Sequence, residues 1–352
     1  MPTTSLTVDN ELLSATSIEA AKEARDLRHV VTPFLAEHVR VHGEGQPSKG
    51  SGHKWIGSFQ TGNHSTPTKR QTGYEQMNLS FSGVLTPMVM TPAEVSYPIG
   101  ISAVEEDLNG GDLQTIEIAS RRAKAVMSKA KRDFEKHILT GGVSQYEDFY
   151  SLNGSNEADG FLETKAPGSQ DNVIGTFSKA QHSALPGATN QFFDVASSFN
   201  SSGLTGIYRT IIKAKARALD DMNGLTIICS EKALENYKRT IQANERYMVM
   251  DNNDTIDGAN MNLLISGVPA HVSTHLGDYT VGSEKRHSMV LVDLNAIYFC
   301  WSKVIRDGYF SMSDFANIGN GYNVRVAEIL VRGQLWVESF ASSAIIADAE
   351  TF

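Results

Sequence analysis

The sequence predicts an α+β protein laid out along one long helix, and three observations carry that prediction. Between Asp112 and Leu139, apolar or small residues recur three or four apart, at Leu113, Ile116, Ala119, Ala123, Val126, Met127, Ala130, Phe134 and Ile138, with no Gly or Pro inside. That is the stripe of an amphipathic helix, and its 28 residues would run about 42 Å at roughly 1.5 Å each. In the second half of the chain, short apolar runs bounded by turn residues read as strands. In the first half, a glycine-rich basic stretch has no core of its own.

Asp112 is placed to cap the long helix, and Gly141-Gly142 to stop it. Arg121, Arg122, Lys124, Lys129, Lys131, Arg132 and Lys136 fall within sixteen residues of it, against only Asp133 and Glu135 in that span. This predicts a basic flank that is either a solvated face or a partner contact.

A chain of 352 residues, 41% hydrophobic, can bury a sizeable core in two domains, or in one core with large excursions. No apolar run reaches eighteen residues, and the start MPTTSLTVDN lacks the basic-then-apolar order of a secretory signal. Cys229 and Cys300 each sit inside an apolar strand-like run, which predicts buried free thiols in a reducing compartment and excludes a disulfide framework. A net charge of -9 argues against a dedicated duplex-DNA reader.

The first forty residues read as an arm. Thr16-x-x-Glu19 forms a capping box opening a helix through Val31, and a second apolar piece, Phe34, Leu35 and Val39, runs on past Pro33 to His42. From Gly43 to Gly83 there are eight glycines, and between Gly45 and Tyr74 the chain carries Lys49, Lys54, Lys69 and Arg70 with no acid. Trp55, Phe59, Tyr74 and Phe81 flank those glycines in strand-like fragments, as in a long two-stranded hairpin that needs another surface to lie on. Pro87, Pro92 and Pro98 then predict an extended edge segment, and Ser102-x-x-Glu105 a second capping box.

Residues 141–203 are loop-rich, with seven acidic and two basic residues. Leu204, Ile207, Ile211, Ala214 and Ala218 give a second amphipathic helix, followed by the strand Leu225–Cys229 and a helix capped by Ser230. MNLLI, VPAHVST, SMVLVDL and AIYFCW read as strands. Val324 to Glu338 alternates as one long half-buried strand, with a phase slip near Ala327 that predicts a bulge.

A search for chemistry returns little. The chain has no phosphate-loop, nucleophile-elbow, HExxH or CxxC motif. His38 and His42 could meet on one helical face but lack a third ligand, and a loop-like Asp251-x-Asn253 run has Ile256 and Asn262 where calcium needs Gly and Glu. Asp307, Asp314 and Asn317, beside Tyr309 and Phe310, could form a dispersed acid/base pair or a polar loop. No catalytic residue, metal site or cofactor is predicted.

The order of parts resembles the major capsid proteins of tailed bacteriophages, with the fold also named for phage Hong Kong 97. The resemblance rests on the arm, the hairpin, the lead-in PIGISAVEEDLNGGD to the long helix, the unit IYRTIIKAKARALDDMNGLTIICS and the closing strand VRVAEILVRGQLWVESFASSAII. It implies an N-terminal arm (1–42), an extended loop (43–97), a peripheral domain (98–203) with 112–139 as its spine, an axial domain (204–290), and a return to the peripheral sheet (291–352). It implies a non-enzymatic shell protein that forms hexamers and pentamers of an icosahedral virion around double-stranded DNA, assembled in the bacterial cytoplasm. Lys49, Lys54, Trp55, Phe59, Lys69, Arg70 and Tyr74 would then make inter-subunit contacts, with the seven spine cations as a basic flank. The implied partners are the chain itself, a separate scaffolding protein, a portal, a possible decoration protein and non-specifically held DNA, with no membrane. Some members crosslink a loop lysine to an asparagine; Lys69 is in the loop, but Arg325 occupies the asparagine position, with Asn320 and Asn323 nearby. The alternatives are an encapsulin-type bacterial shell and a cytosolic α+β hydrolase with a dispersed Asp/His site.

Overall fold

The computed structural model of the chain describes residues 32–42, 48–49, 52–62, 83–108, 118–153, 160–163, 173–195, 201–218, 224–242, 263–276, 287–302, 310–319 and 322–347. The Thr16 capping box, the Asp112 cap and the Asp251 turn lie outside them. In order come α1 (Pro33–His42), β1 (Ser48–Lys49), β2 (Trp55–Gln60), β3 (Leu85–Met90), β4 (Ala93–Ser102), α2 (Ala103–Leu108) and α3 (Ile118–Thr140). Then follow β5 (Val173–Ile174), β6 (Phe177–Ser178), β7 (Gln191–Asp194), α4 (Ser201–Lys215), β8 (Leu225–Cys229), α5 (Glu231–Gln242), β9 (Leu263–Ile265) and β10 (Val268–Val272). The chain closes with β11 (His287–Asp293), β12 (Ile297–Ser302), β13 (Ser311–Met312), β14 (Ala316–Gly319), β15 (Tyr322–Val337) and β16 (Ala344–Ala347).

The long helix is α3. It stops where the sequence placed its stop: Gly141 takes φ +67 and its N–H reaches the His137 carbonyl at 2.7 Å, a left-handed cap that glycine adopts without strain. The Ser102 box, which opens α2, is made reciprocally. The Glu105 carboxylate accepts from Ser102 N–H at 3.1 Å and Ser102 Oγ accepts from Glu105 N–H at 3.2 Å.

The trunk of the first sheet is the 16-residue β15. It pairs antiparallel with β4, β12, β13 and β14, and β12 takes the parallel β1. Among the described residues β4 has a ladder on one side only, the place where Pro98 costs no hydrogen bond. The bulge expected near Ala327 is absent, because the β4 register runs unbroken from Val324↔Ser102 to Gly333↔Ala93. Ala327 stands in phase with the buried Ile329 and Val331, while Val324 and Val326 are half-buried on the opposite face. Two partly covered faces imitate a change of phase. A one-residue irregularity falls instead in the pairing with β14, where two steps from Asn317 to Gly319 face three on β15 from Arg325 to Tyr322, so the extra residue is on β15.

Close approach fixes one glycine in that trunk. A Cβ on Gly333 would stand 2.4 Å from the Cys300 carbonyl and 2.4 Å from the Phe299 ring. Gly333→Ala is therefore expected to lower stability by about 1–3 kcal/mol through overpacking, read as a shifted midpoint in urea with an unchanged slope.

The second sheet has the order β7-β16-β11-β8-β10-β9. Its apolar runs are continuous rather than alternating because both faces are covered. Ile227, Cys229, Leu291 and Ile346 pack with Ile207, Ile211 and Ala214 of α4 and Leu234 and Tyr237 of α5. Ile228, Val290, Val292 and Ile345 face the other way, into the core that holds the first sheet and α3. Strands β7 and β16, from outside 204–290, complete this sheet, so the unit around α4 and α5 is discontinuous in sequence. Both cysteines are buried and free, and burial pushes the Cys229 thiol up to about 12.

Candidate assembly surfaces

Two strands leave the body as a ribbon. β2 and β3 pair antiparallel from Trp55↔Met90 to Gln60↔Leu85, and the period of two gives the ribbon two faces. The inner face carries Trp55, Gly57 and Phe59 opposite Met90, Met88 and Thr86. Trp55, Met88 and Met90 are buried; a Cβ on Gly57 would lie 2.6 Å from the Trp336 ring; and Phe59 meets Phe177 at 4.7 Å. The strand edge is tied to the β5–β6 turn, where Val89 N–H donates to Thr176 Oγ1 and Thr176 Oγ1 donates to the Pro87 carbonyl, both at 3.1 Å.

The outer face carries Ile56, Ser58 and Gln60 opposite Val89, Pro87 and Leu85. Ile56 is 73% exposed and Leu85 66% exposed. A two-stranded ribbon with one apolar face buried and a second apolar face open is an unfinished packing unit.

The sequence-predicted loop residues therefore separate. Trp55 and Phe59 are spent inside their own subunit, as the root of the ribbon. Lys54 is exposed where β2 begins, and Lys49 lies in β1, beside β12. Lys69, Arg70 and Tyr74 lie outside the described residues. Ile56, one of the apolar side chains that mark the stretch as strand-like, and Leu85, which sequence reasoning did not single out, hold the outer face; the alternation around Trp55 and Phe59 was the signal that could have assigned them to it.

The seven cations of α3 do not form one continuous flank. At roughly 100° per residue, Arg121, Lys129, Arg132 and Lys136 share one arc, and Lys124 and Lys131 share another about a third of a turn away. Glu135 projects between the two arcs and is fully buried beneath α1. Lys124, Lys129, Lys131 and Lys136 are exposed. Arg122 is committed elsewhere: its guanidinium grips Glu105 at 2.9 and 3.0 Å and the Gly100 carbonyl at 2.9 Å. That fork, ahead of the Ser102 contacts, holds the Glu105 carboxyl below the usual carboxylate range although burial opposes it.

The residues considered for catalysis are dispersed. Asp314 and Asn317 are exposed between β13 and along β14, Phe310 is buried, and Asp307 and Tyr309 lie outside the described residues. His38 and His42 do share a face, with rings 4.6 Å apart, but both serve packing: His38 Nε2 accepts from Phe299 N–H and His42 Nε2 meets the Leu294 carbonyl, each at 3.0 Å. Burial drives the His38 pKa down to about 3, with His42 adding to it. Among the described residues no group of three His, Cys, Asp or Glu could hold a metal ion, and no helix is long and apolar enough to cross a membrane.

This fold has solved counterparts. The capsid of cyanophage A-1(L) superposes with a TM-score of 0.62 at 12% identity, covering 96% of this chain and 99% of that one. The capsid of a native GTA particle gives 0.56 at 10% identity over 95% and 98%. The holo-SrpI encapsulin of Synechococcus elongatus gives 0.57 at 10% identity over 97% and 96%. No protein-family model matches the chain, and no curated protein matches it by sequence. The chain thus has the fold of tailed-phage capsid proteins, the one named for phage Hong Kong 97, which an encapsulin shell also shares.

Proposed function

We propose that the chain is the major capsid protein of a tailed double-stranded DNA phage, self-assembling into the hexamers and pentamers of an icosahedral shell. The observation that carries this is the ribbon of β2 and β3, rooted firmly in its own subunit and open on a second apolar face. Such a face is stable only when covered, and in a capsid fold a neighbouring copy covers it through a heterologous contact that closes into rings. The acid-free 46–73 stretch, which includes β2, supplies basic side chains for an acidic neighbour. Weak individual contacts then add up over many copies.

On this reading 43–97 is the extended loop and α3 the spine. The sheet trunked on β15 belongs to the peripheral domain, and α4 and α5 with the second sheet form the axial one. The exposed cations of α3 tolerate packaged DNA through phosphate neutralisation, without base readout. Scaffolding, portal and decoration proteins are separate partners, and the shell assembles in the bacterial cytoplasm. No catalytic step is assigned. The second reading, a bacterial compartment shell, draws on the likeness to the SrpI encapsulin; purified particles would then hold a protein cargo in place of nucleic acid.

Sedimentation velocity with electron micrographs of the same fractions tests the reading. Shells or capsomer-sized rings are expected, with nucleic acid inside those recovered from infected cells. A stable monomer or dimer, alone and with its neighbouring gene products, would reject it. Ile56→Ser with Leu85→Ser, on the open face of the ribbon, is expected to leave a folded subunit that no longer assembles, and normal shells from that double variant would reject the role given to the loop.

A further inference from the structure

Among the described helices α1 is held in an unusual way. Its buried apolar side chains are Pro33, Phe34 and Leu35, with Val41 half-buried, and polar contacts make much of the remaining grip. The first N–H groups of a helix have no partner inside it, and a side chain just upstream usually supplies one. Here the supplier is 100 residues away: the two oxygens of Glu135, on α3, accept from Phe34 N–H and Leu35 N–H at 3.1 Å each.

Two more hydrogen bonds and one ion-pair contact reach three other places. His38 Nε2 accepts from Phe299 N–H on β12 of the first sheet, at 3.0 Å. His42 Nε2 meets the Leu294 carbonyl at 3.0 Å, in the short turn where the chain crosses from the second sheet to the first. Glu37 Oε1 lies 3.1 Å from His271 Nε2 on β10 of the second sheet, with Arg40 on its other oxygen at 2.5 Å. The same crossing is a narrow seam: Glu338 N–H, just beyond β15, donates to the Ala296 carbonyl at 2.7 Å.

We propose that α1 is a releasable strap, with Glu135 as its catch, that fixes how the second sheet is set against the first. A helix fastened mainly by directional bonds comes away as a unit when the bonds fail, before the apolar cores on either side of it do. While seated, it ties spine, first sheet, crossing turn and second sheet together. Once released, the seam at Leu294–Ala296 and Glu338 and the core that Ile228, Val290, Val292 and Ile345 share with the first sheet are left to hold the setting without the strap. The inference concerns the single subunit and does not depend on the shell reading.

The test is hydrogen exchange on the full chain, with spin labels on the exposed Thr91, beside the first sheet, and Lys232, on α5. In Glu135→Gln the amide can offer one acceptor oxygen where two donors converge. Exchange of the 33–42 peptide is expected to rise at least about tenfold while the β12 and β15 peptides keep their protection, and the label distance should broaden. Should that variant fold poorly, Glu37→Gln keeps the side chain's size, removes the charge from the far tie at a buried position, and is expected to broaden the distance in the same way. A strap that exchanges no faster in either variant overturns the proposal. So does a loosened strap with an unchanged label distance, because α1 would then be a cover and not a fastening.

Discussion

Phe134→Ala is expected to cost the folded subunit about 3–5 kcal/mol, among the largest single losses available to it. The ring is fully buried on α3 and gathers aromatic neighbours from several parts of the chain. Tyr146 and Phe149 come from the loop after the helix, at 5.7 and 6.2 Å; Phe299 and Trp301 from β12, at 4.8 and 6.1 Å; and Phe310 from ahead of β13, at 6.1 Å. The contacts to Phe149, Phe299 and Phe310 are edge-on, at 82–87°, the arrangement that adds to burial through ring electrostatics. Rings anchored on three separate segments cannot collapse into the void together, so most of the cavity would remain. Phe134→Leu keeps much of the volume and should cost well under half as much. Urea unfolding of the free subunit checks both, and a loss below about 1 kcal/mol for the alanine variant would mean that the site closes on itself.

The same residue shows how much the sequence could tell. Phe134 belongs to the stripe that predicted α3, and the stop at Gly141, the Ser102 box and the helix through Ile207 and Ile211 all follow from local rules that the structure obeys. Those rules act within a turn or two of chain. What they could not give is long-range: β7 and β16 joining the second sheet from either side of 204–290 is decided by packing between segments about 150 residues apart. The false bulge at Ala327 has the same origin, since a strand's pattern cannot say that Val324 and Val326 meet something on the far face.

Glu135 is the clearest example. In the sequence it is one of two acids on a basic helix, with nothing to separate it from Asp133. Only the arrival of the α1 N–H groups turns it into a buried acceptor. For the candidate surface, the basic hairpin was legible from composition, but the roles within it were not. Trp55 looked like a contact residue because large aromatics in a glycine-rich loop attract attention, and it proved to be the root. Ile56, its neighbour on the opposite face, is the side chain left open.

Stability should depend on pH in a pattern led by three buried groups. Burial pushes the Glu135 carboxyl up to about 8, against the pull of its two N–H donors; it pushes His38 down to about 3; and it pushes Lys179, whose Nζ donates to the Phe161 carbonyl 4.0 Å above the Phe340 ring, down to about 7 although Glu163 opposes this. Each folded-state value is displaced from its unfolded one, and each displacement gives a slope of about 1.4 kcal/mol per pH unit between the two. A raised carboxyl contributes fully below its unfolded value near 4.5 and loses that contribution as pH rises to about 8. A lowered histidine contributes fully above 6.5 and loses it as pH falls to about 3. A lowered lysine contributes fully above 10.5 and loses it as pH falls to about 7.

Between about pH 4.5 and 6.5 the Glu135 and His38 slopes oppose and cancel, which predicts a plateau. Below it His38 acts together with His137 and His275, also lowered by burial, and with Glu105, held below its ordinary range, so stability falls with acid. Above pH 8 Lys179 makes stability rise, until the Cys229 thiol, raised from 9.0 to about 12, opposes it and levels the curve towards pH 10. Urea midpoints measured from pH 3.5 to 10 should trace that shape, and two variants should dissect it. Lys179→Met is expected to flatten the alkaline rise and leave the acid limb alone. His38→Gln keeps an acceptor for Phe299 N–H without a titrating ring, and should make the acid limb alone shallower. An alkaline rise that survives Lys179→Met would show that the buried amine carries its proton in the folded chain at neutral pH, held there by Glu163 more strongly than burial expels it.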